Sequence, residues 1–214
     1  MSSLPVDIDG VVKASELDDG GRRSRREGEW GRSLLEGSLC ELSAKGASAS
    51  LTFVFELIRE SQGDGEPVAW VAAGESQFFP PDALRNGIDL EALPLVRLEE
   101  AQRAARAADK LVRSGGFGLV VVDLTDTDQQ EPIPPPLQKR LVQHGERHEV
   151  AVVFLTEKHA EKPSLGALVS FRAHTDRRRE GGDRFACQLE ALADKRFGPG
   201  WRCEEVYRGP PGLR

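Results

Sequence analysis

The chain has few of the residue types that mark specialised classes of protein. Its 214 residues include only three cysteines, one methionine and one tyrosine. The cysteines lack the spacing of metal ligands, and their odd number does not suit a disulfide framework. We therefore expect Cys40, Cys187 and Cys203 to be buried free thiols in a reducing cytosol.

Long apolar runs and an excess of positive charge are also missing. No stretch approaches the roughly 18 apolar residues of a membrane-spanning helix, and the first residues lack the apolar region of a signal peptide. These absences predict a cytoplasmic protein, free or associated with the nucleoid, that does not enter membranes. A net charge of −6 argues against a generally basic nucleic-acid-binding protein, but it leaves room for a local basic groove.

The beginning of the chain shows no hydrophobic periodicity. It contains a basic cluster at Arg22–Arg26, inside a segment whose charges balance between Asp18 and Trp30. Residues 1–30 are therefore predicted to be a mostly flexible N-terminal arm, which is either simply solvated or docks on a partner. Residues 31–208 are predicted to form one core, and residues 209–214 a C-terminal tail.

From residue 38 onward, short apolar runs alternate with helical patterns, as in α/β proteins. After residue 168 the alternation gives way to strands joined by polar turns. The pattern predicts a mostly parallel central sheet flanked by helices, with an antiparallel β extension at its C-terminal edge. The predicted strands are Leu39–Ser43, Val68–Ala73, Leu93–Leu98, Leu119–Leu124, Val150–Thr156, Leu168–Ala173, Arg184–Leu192 and Trp201–Arg208. The predicted helices run from residue 51 to 63, from the Phe78–Pro81 segment, over Glu99–Ser114 and over Leu137–Glu146.

The strand, loop and helix of residues 38–58 have the place and length of a phosphate-binding loop. Such a loop reads G-x-x-x-x-G-K-[ST], because its glycines let backbone N–H groups approach the phosphates, its lysine neutralises their charge and its hydroxyl binds Mg²⁺. Here the eight residues read AKGASASL. Alanines occupy both glycine positions, a serine replaces the lysine and a leucine replaces the hydroxyl residue. We predict a vestigial nucleotide site that has lost ATP and Mg²⁺, at Ala44, Lys45, Gly46, Ala49, Ser50 and Leu51; the alternative is a tight loop kept only for core packing.

A second partial motif follows the clearest helix of the chain. The β-branched run Leu119–Leu124 contains Asp123 near its end and resembles a Walker B strand, whose carboxylate holds the Mg²⁺ of a bound nucleotide through water. Asp123 is therefore added to the vestigial site. His144 and His148 are four residues apart, but no third ligand is evident. The sequence predicts no catalytic residue and no metal site.

The order of these elements resembles the RecA ATPase core over residues 31–208. The resemblance rests on Glu41-Leu-Ser before the loop, Ala69-Trp-Val-Ala-Ala73, Gly87-Ile-Asp-Leu90 and Arg113-Ser-Gly-Gly-Phe-Gly118 before the aspartate-ending strand. The segment Asp194-Lys-Arg-Phe-Gly-Pro-Gly-Trp201 is similar to a C-terminal pattern of the ImuA-type RecA-like proteins. These proteins are accessory factors of mutagenic DNA repair in bacteria.

The resemblance implies a non-catalytic adapter in the SOS response, in which DNA damage induces mutagenesis through translesion synthesis. Its partners would be RecA, a Y-family polymerase-like subunit and the replicative polymerase. The alternative is a divergent P-loop ATPase that acts on DNA. The first 30 residues show no apolar helix of the kind through which RecA protomers polymerise, so we expect a monomer or small oligomer.

The resemblance also implies that loops after the fourth and fifth strands face DNA. The first, Thr125–Pro136, is acidic, and the second, Glu157–Leu165, is neutral, so neither suits phosphate contact. A better candidate for weak contact with single-stranded DNA or a partner is an arginine-rich surface, for which the alternative is a solvated turn. It comprises Arg172, Arg177, Arg178, Arg179 and Arg184, with Lys195 and Arg196 beyond.

Overall fold

A computed structural model describes residues 30–76, 78–127 and 133–209. The arm predicted for residues 1–30 lies outside this part except for Trp30, and the predicted tail lies outside it except for Gly209. Within the described residues the chain forms an eight-stranded sheet with the strand order β3-β2-β4-β5-β1-β6-β7-β8. The strands are β1 (Leu39–Ala44), β2 (Val68–Ala73), β3 (Leu95–Leu98), β4 (Leu119–Asp123), β5 (Ala151–Glu157), β6 (Phe171–Gly181), β7 (Arg184–Asp194) and β8 (Arg202–Arg208).

Helices cover both faces of the parallel part of the sheet. They are α1 (Arg32–Leu35), α2 (Ser50–Gly63), α3 (Pro80–Arg85), α4 (Ala101–Ser114) and α5 (Pro135–His148). One apolar cluster joins the sheet to α1, α2 and α3, and a second joins it to α4 and α5. Strands buried on both faces need apolar side chains at every position, which explains why β2 and β4 are almost continuous apolar runs.

The predicted fold class is confirmed. Strands β3, β2, β4, β5, β1 and β6 pair in parallel. Strands β7 and β8 continue the sheet in antiparallel fashion. Helix α4 ends where the glycine pair predicts, because Gly115 adopts the left-handed conformation, with φ 67°.

Some strand predictions were wrong in extent. The strand predicted as Leu168–Ala173 begins at Phe171 and continues to Gly181, so the arginine run lies within β6 rather than in a turn. The turn comes later, where Gly181 and Gly182 both have positive φ. The charged run hid the strand because its arginines have no apolar alternation, although they pair with β7 along the ladder. The strand predicted as Leu93–Leu98 begins only at Leu95, after Pro94.

Candidate functional site

The loop after β1 has the position of a phosphate-binding loop. Strand β1 ends at Ala44 and helix α2 begins at Ser50, so residues 45–49 lie at the carboxyl edge of the parallel sheet. Ligands of open α/β sheets bind at this edge, beside the start of the following helix. The predicted strand–loop–helix is therefore present, and its side chains decide what it can hold.

Ser50, at the position of the phosphate-binding lysine, points into the protein. It is 4% exposed, and its Oγ lies 2.7 Å from Oγ1 of Thr175 on β6. The Ser50 backbone N–H donates to Ser48 Oγ at 3.1 Å, within the loop itself. A hydroxyl that is buried and already bonded supplies no positive charge to a phosphate. Thr175 could not have been found from the sequence, since it lies 125 residues away.

The rest of the loop is also fastened to neighbouring strands. The Arg177 N–H of β6 donates to the Ala47 carbonyl at 3.0 Å. The Lys45 ammonium donates to Glu157 Oε1, at the end of β5, at 2.6 Å. Ala49 is fully buried, and Leu51 packs against the core as a partly buried side chain. Gly46 has a φ of 86°, and nothing lies within 4 Å of a Cβ added to it. The loop does not fit a triphosphate site of the lysine-containing type.

Asp123 serves the packing of two loops. Its carboxylate is 1% exposed. Oδ2 accepts from Ser76 Oγ at 2.6 Å, while Oδ1 accepts from the backbone N–H and Oγ1 of Thr125 at 3.1 and 2.6 Å. Ser76 belongs to the segment between β2 and α3, so Asp123 joins the ends of two neighbouring strands.

The same two loops are joined a second time beside Asp123. The Glu75 N–H donates to Asp126 Oδ2 at 2.8 Å. Gly74 is needed there: its φ is 70°, and a Cβ on it would lie 2.9 Å from that oxygen. Glu75 itself is exposed. Asp128 and Glu131 of the acidic loop lie outside the described residues.

A buried charge network, which the sequence analysis missed, lies beneath the loop after β5. Glu41 of β1 is fully buried. Its carboxylate forms ion pairs with Lys158 and Arg172. It also accepts from Thr156 Oγ1, Ser164 Oγ and the Leu165 N–H at 3.0, 2.8 and 3.0 Å. The available signal was an acid in the middle of an apolar strand.

This network changes the interpretation of the β5–β6 loop. Burial lowers the pKa of the Lys158 ammonium. The neighbouring Glu41 carboxylate raises this pKa and so partly offsets the effect of burial. The Lys158 ammonium also donates to the Pro163 carbonyl at 2.7 Å. Lys158 and Arg172 are therefore used inside the protein, and Arg172 does not belong to the arginine-rich surface.

The remaining basic candidates fall into two places rather than one. Arg177, Arg178 and Arg179 are exposed near the end of β6, where the Arg177 guanidinium carbon lies 5.3 Å from the centre of the Phe185 ring. Residues 195 and 196 follow the far end of β7, because Asp194 pairs with Phe171 at the start of β6. At about 3.3 Å per residue, these positions lie roughly 25 Å apart, so they do not form one surface.

Arg196 has a structural role at its own location. Its guanidinium donates to the carbonyls of Leu34 and Glu36 at 3.2 and 3.0 Å, at the end of α1. Lys195 is exposed, and its backbone N–H donates to the Ser170 carbonyl at 3.0 Å. Arg184 and Arg208, opposite each other on β7 and β8, lie instead at the same end as the β6 arginines.

The cysteines and histidines form no shared site in the described part of the chain. Cys40 and Cys187 are buried free thiols as predicted, whereas Cys203 is only partly buried. No group of three or more metal-binding side chains is found among the described residues. Within the same residues, no helix has the length and apolar character needed to cross a bilayer.

Comparison with known proteins supports the RecA-like interpretation of the fold. A 90-residue region, 42% of the chain, is 32% identical to the protein RecA of Chlorobium limicola. Similar matches cover 88 residues of RecA from Rickettsia prowazekii, at 30% identity, and 90 residues of RecA from Chlorobium chlorochromatii, at 34%. About two fifths of the chain is therefore similar in sequence to RecA. The matched region spans only about a quarter of each relative, 25%, 26% and 25% respectively. No protein-family model matches the chain.

Proposed function

We propose that this RecA-related chain is a non-catalytic adapter in SOS, DNA-damage-induced mutagenesis. It would join RecA to a Y-family polymerase-like subunit of the ImuA-associated type, and to the replicative polymerase, in the cytoplasm. The observation that carries the non-catalytic part is the buried Ser50–Thr175 hydroxyl pair, at 2.7 Å, where a phosphate-binding loop needs its lysine. The partners come from the sequence resemblance.

The magnitude of the lost contacts supports this proposal. A charge-assisted hydrogen bond from a lysine to a phosphate contributes roughly 1.5–3 kcal/mol. With the Mg²⁺-binding hydroxyl and the close-approach glycine also missing, the total loss is about 3–5 kcal/mol, or roughly 100- to 5000-fold in affinity. A nucleotide that did bind would lack the positive charge that stabilises phosphoryl transfer.

An ATPase assay tests the non-catalytic claim. The wild type and a Ser50→Ala variant are assayed with and without DNA, since that variant removes the hydroxyl at the lysine position. We expect both proteins to release phosphate at the same background rate. A wild-type rate well above that of Ser50→Ala would contradict the claim.

A pull-down tests the adapter claim separately. Tagged full-length chain and a form lacking residues 1–29 are incubated with purified RecA and with the polymerase-like subunit. We expect the full chain to retain both proteins, and the shortened form to show whether the N-terminal segment contributes. Retention of neither by the full chain would contradict the adapter role without affecting the ATPase result.

A divergent P-loop ATPase is the second candidate. It is favoured by one observation, which is that Asp123 lies at the carboxyl end of β4. In the sheet, only β5 separates β4 from β1, the strand that precedes the loop. This candidate requires the Asp123 carboxylate to exchange its bonds with Ser76 and Thr125 for a hydrated Mg²⁺.

The proposed adapter also makes weak contact with single-stranded DNA through the β6 arginines. The test is an Arg177→Ala/Arg178→Ala/Arg179→Ala variant titrated against labelled single-stranded DNA across a salt series. We expect weaker binding and a shallower salt dependence, because fewer counterions are released. Binding that matches the wild type at every salt concentration would remove this surface from the proposal.

A further inference from the structure

Helices α4 and α5 carry much more positive charge than the rest of the chain. Together they contain seven arginine or lysine residues and two acidic residues. The whole chain has 29 basic and 35 acidic residues. The overall negative charge therefore conceals a strongly basic pair of helices on one face of the sheet.

The two helices lie side by side and run in the same direction. Arg140 Nε of α5 lies 3.0 Å from Asp109 Oδ2 of α4. Further along, a Cβ on Gly115, just after α4, would lie 2.8 Å from Nδ1 of His148, at the end of α5. Arg106 and Arg113 are seven residues apart, which is two helical turns, so they share one side of α4 about 10 Å apart.

Most of these charges are not neutralised by neighbours. Arg103 pairs with Glu100 at 3.4 Å, and Arg140 pairs with Asp109. The others are exposed, and within the described ranges none has a carboxylate oxygen within 4 Å. We call these five residues the α4–α5 basic face: Arg106, Lys110, Arg113, Lys139 and Arg147.

The chemistry of this face favours one class of partner. The exposed large apolar side chains of the described residues all lie outside α4 and α5, and neither helix contains Phe, Trp or Tyr. A stable protein interface needs an apolar centre, and single-stranded nucleic acid is held largely by stacking on aromatic rings. A duplex backbone needs only positive charges at suitable positions.

We propose that the α4–α5 basic face binds the phosphate backbone of double-stranded DNA without sequence preference. This surface is separate from the β6 arginines, because β6 lies toward the opposite edge of the sheet. It would place the chain on duplex DNA whether or not its other partners are those proposed above.

The test measures fluorescence anisotropy of a labelled 30-base-pair duplex between 25 and 200 mM KCl. The variant is Arg106→Ala/Arg113→Ala/Arg147→Ala. Its matched control, Arg59→Ala/Arg85→Ala/Arg202→Ala, removes the same charge from exposed positions on α2, α3 and β8. Thermal unfolding followed by circular dichroism shows whether both remain folded. A third variant, Arg106→Lys/Arg113→Lys/Arg147→Lys, keeps the charge.

We expect the wild type to bind with a Kd of about 1–100 μM near physiological salt, as for other non-specific binders. The face variant should bind at least about tenfold more weakly, and its log–log salt slope should be smaller by about 2.7, or 0.9 per lost phosphate contact. The lysine variant should bind like the wild type.

Three results would overturn the proposal. One is an absence of wild-type binding at 25 mM KCl. Another is an equal loss in the face variant and the matched control, which would indicate a general charge effect. The third is a larger loss of binding in the face variant for a poly-glutamate peptide, or for single-stranded DNA of the same length, than for the duplex. That result would assign the face to an acidic protein or to unpaired strands.

Discussion

Glu41 connects β1 to the end of β5 and to the loop that follows β5. It is fully buried in β1 and is bonded to Thr156, Ser164 and Leu165 as well as paired with two cations. A buried charge is tolerated only when its partners replace the lost water. If Glu41 were removed, the Lys158 ammonium, which is 11% exposed, would lose its compensation.

We therefore predict that Glu41→Ala lowers the free energy of unfolding by about 3–5 kcal/mol, the usual cost of breaking a buried pair by deleting one partner. The measurement is urea denaturation followed by circular dichroism. The matched control is Lys45→Ala, which breaks an ion pair whose side chains are 47% and 41% exposed. That change should cost about 0–1 kcal/mol. Equal effects of the two substitutions would contradict the assigned role of Glu41.

A second residue-scale feature is the contact between β8 and α2. The Tyr207 hydroxyl lies within hydrogen-bonding distance of the carboxylates of Glu56 and Glu205, and its single proton can be donated to only one of them. Burial raises the pKa of Glu56, and the hydrogen bond from Tyr207 lowers it by a smaller amount. Burial is the largest cause of a raised pKa of the Tyr207 phenol, and the two neighbouring carboxylates raise it further.

This arrangement predicts a pH dependence of stability. Because the pKa of Glu56 is raised above its ordinary value of 4.5, the folded state holds this proton more tightly than the unfolded state does. The resulting stabilisation is fully present below pH 4.5 and is lost as the pH rises through the raised pKa. Glu56→Gln should therefore raise Tm relative to the wild type at pH 7 more than at pH 4.

A Tm difference between Glu56→Gln and the wild type that does not change with pH would contradict the prediction that the raised pKa of Glu56 makes stability depend on pH.

At the scale of elements, the loop between β5 and β6 is joined to the start of α5. Gln138 is 3% exposed; its Nε2 donates to the Ile133 carbonyl at 2.5 Å and its Oε1 accepts from the Leu168 N–H at 3.2 Å. The Ile133 N–H donates in turn to the Leu165 carbonyl at 3.2 Å. A Cβ on Gly166 would overlap the Gln138 amide.

Gly166→Ala should accordingly displace Gln138 and break its two bonds, lowering the free energy of unfolding by about 1–3 kcal/mol. Gly63→Ala, where nothing lies within 4 Å of the added methyl group, is the matched control and should be neutral or slightly stabilising. Chemical denaturation measures both. A neutral Gly166→Ala variant would show that this loop is not held through Gln138.

Elements with strong local signals could be predicted, and those defined by distant partners could not. The β2 prediction, Val68–Ala73, coincides with the observed strand, because six consecutive apolar residues describe a strand buried on both faces. Strand β6 was underestimated because its second half is stabilised by pairing with β7, which the charged sequence does not reveal. Thr175 contacts Ser50, and Glu41 contacts the β5–β6 loop, only because the fold brings distant parts of the chain together.

At the scale of the whole molecule, the sequence was sufficient for the class of fold but not for the distribution of charge. The order of strands and helices led to a parallel sheet with an antiparallel extension. Grouping basic residues by proximity in sequence failed, since Arg177 and Arg196 lie at different ends of the same hairpin. The concentration of positive charge on α4 and α5 became apparent only when the two helices were found side by side.

The central claim is that a RecA-like fold is retained here while its phosphate-binding chemistry is lost. Equilibrium titration of the chain with a fluorescent ATP analogue, with and without Mg²⁺, tests it most directly. The account predicts no saturable, Mg²⁺-dependent binding at micromolar concentrations, since Ser50 is bonded to Thr175 and supplies no charge. An Asp123→Asn variant should give the same titration curve as the wild type. A micromolar, Mg²⁺-dependent affinity that Asp123→Asn abolishes would contradict the account and restore the ATPase interpretation.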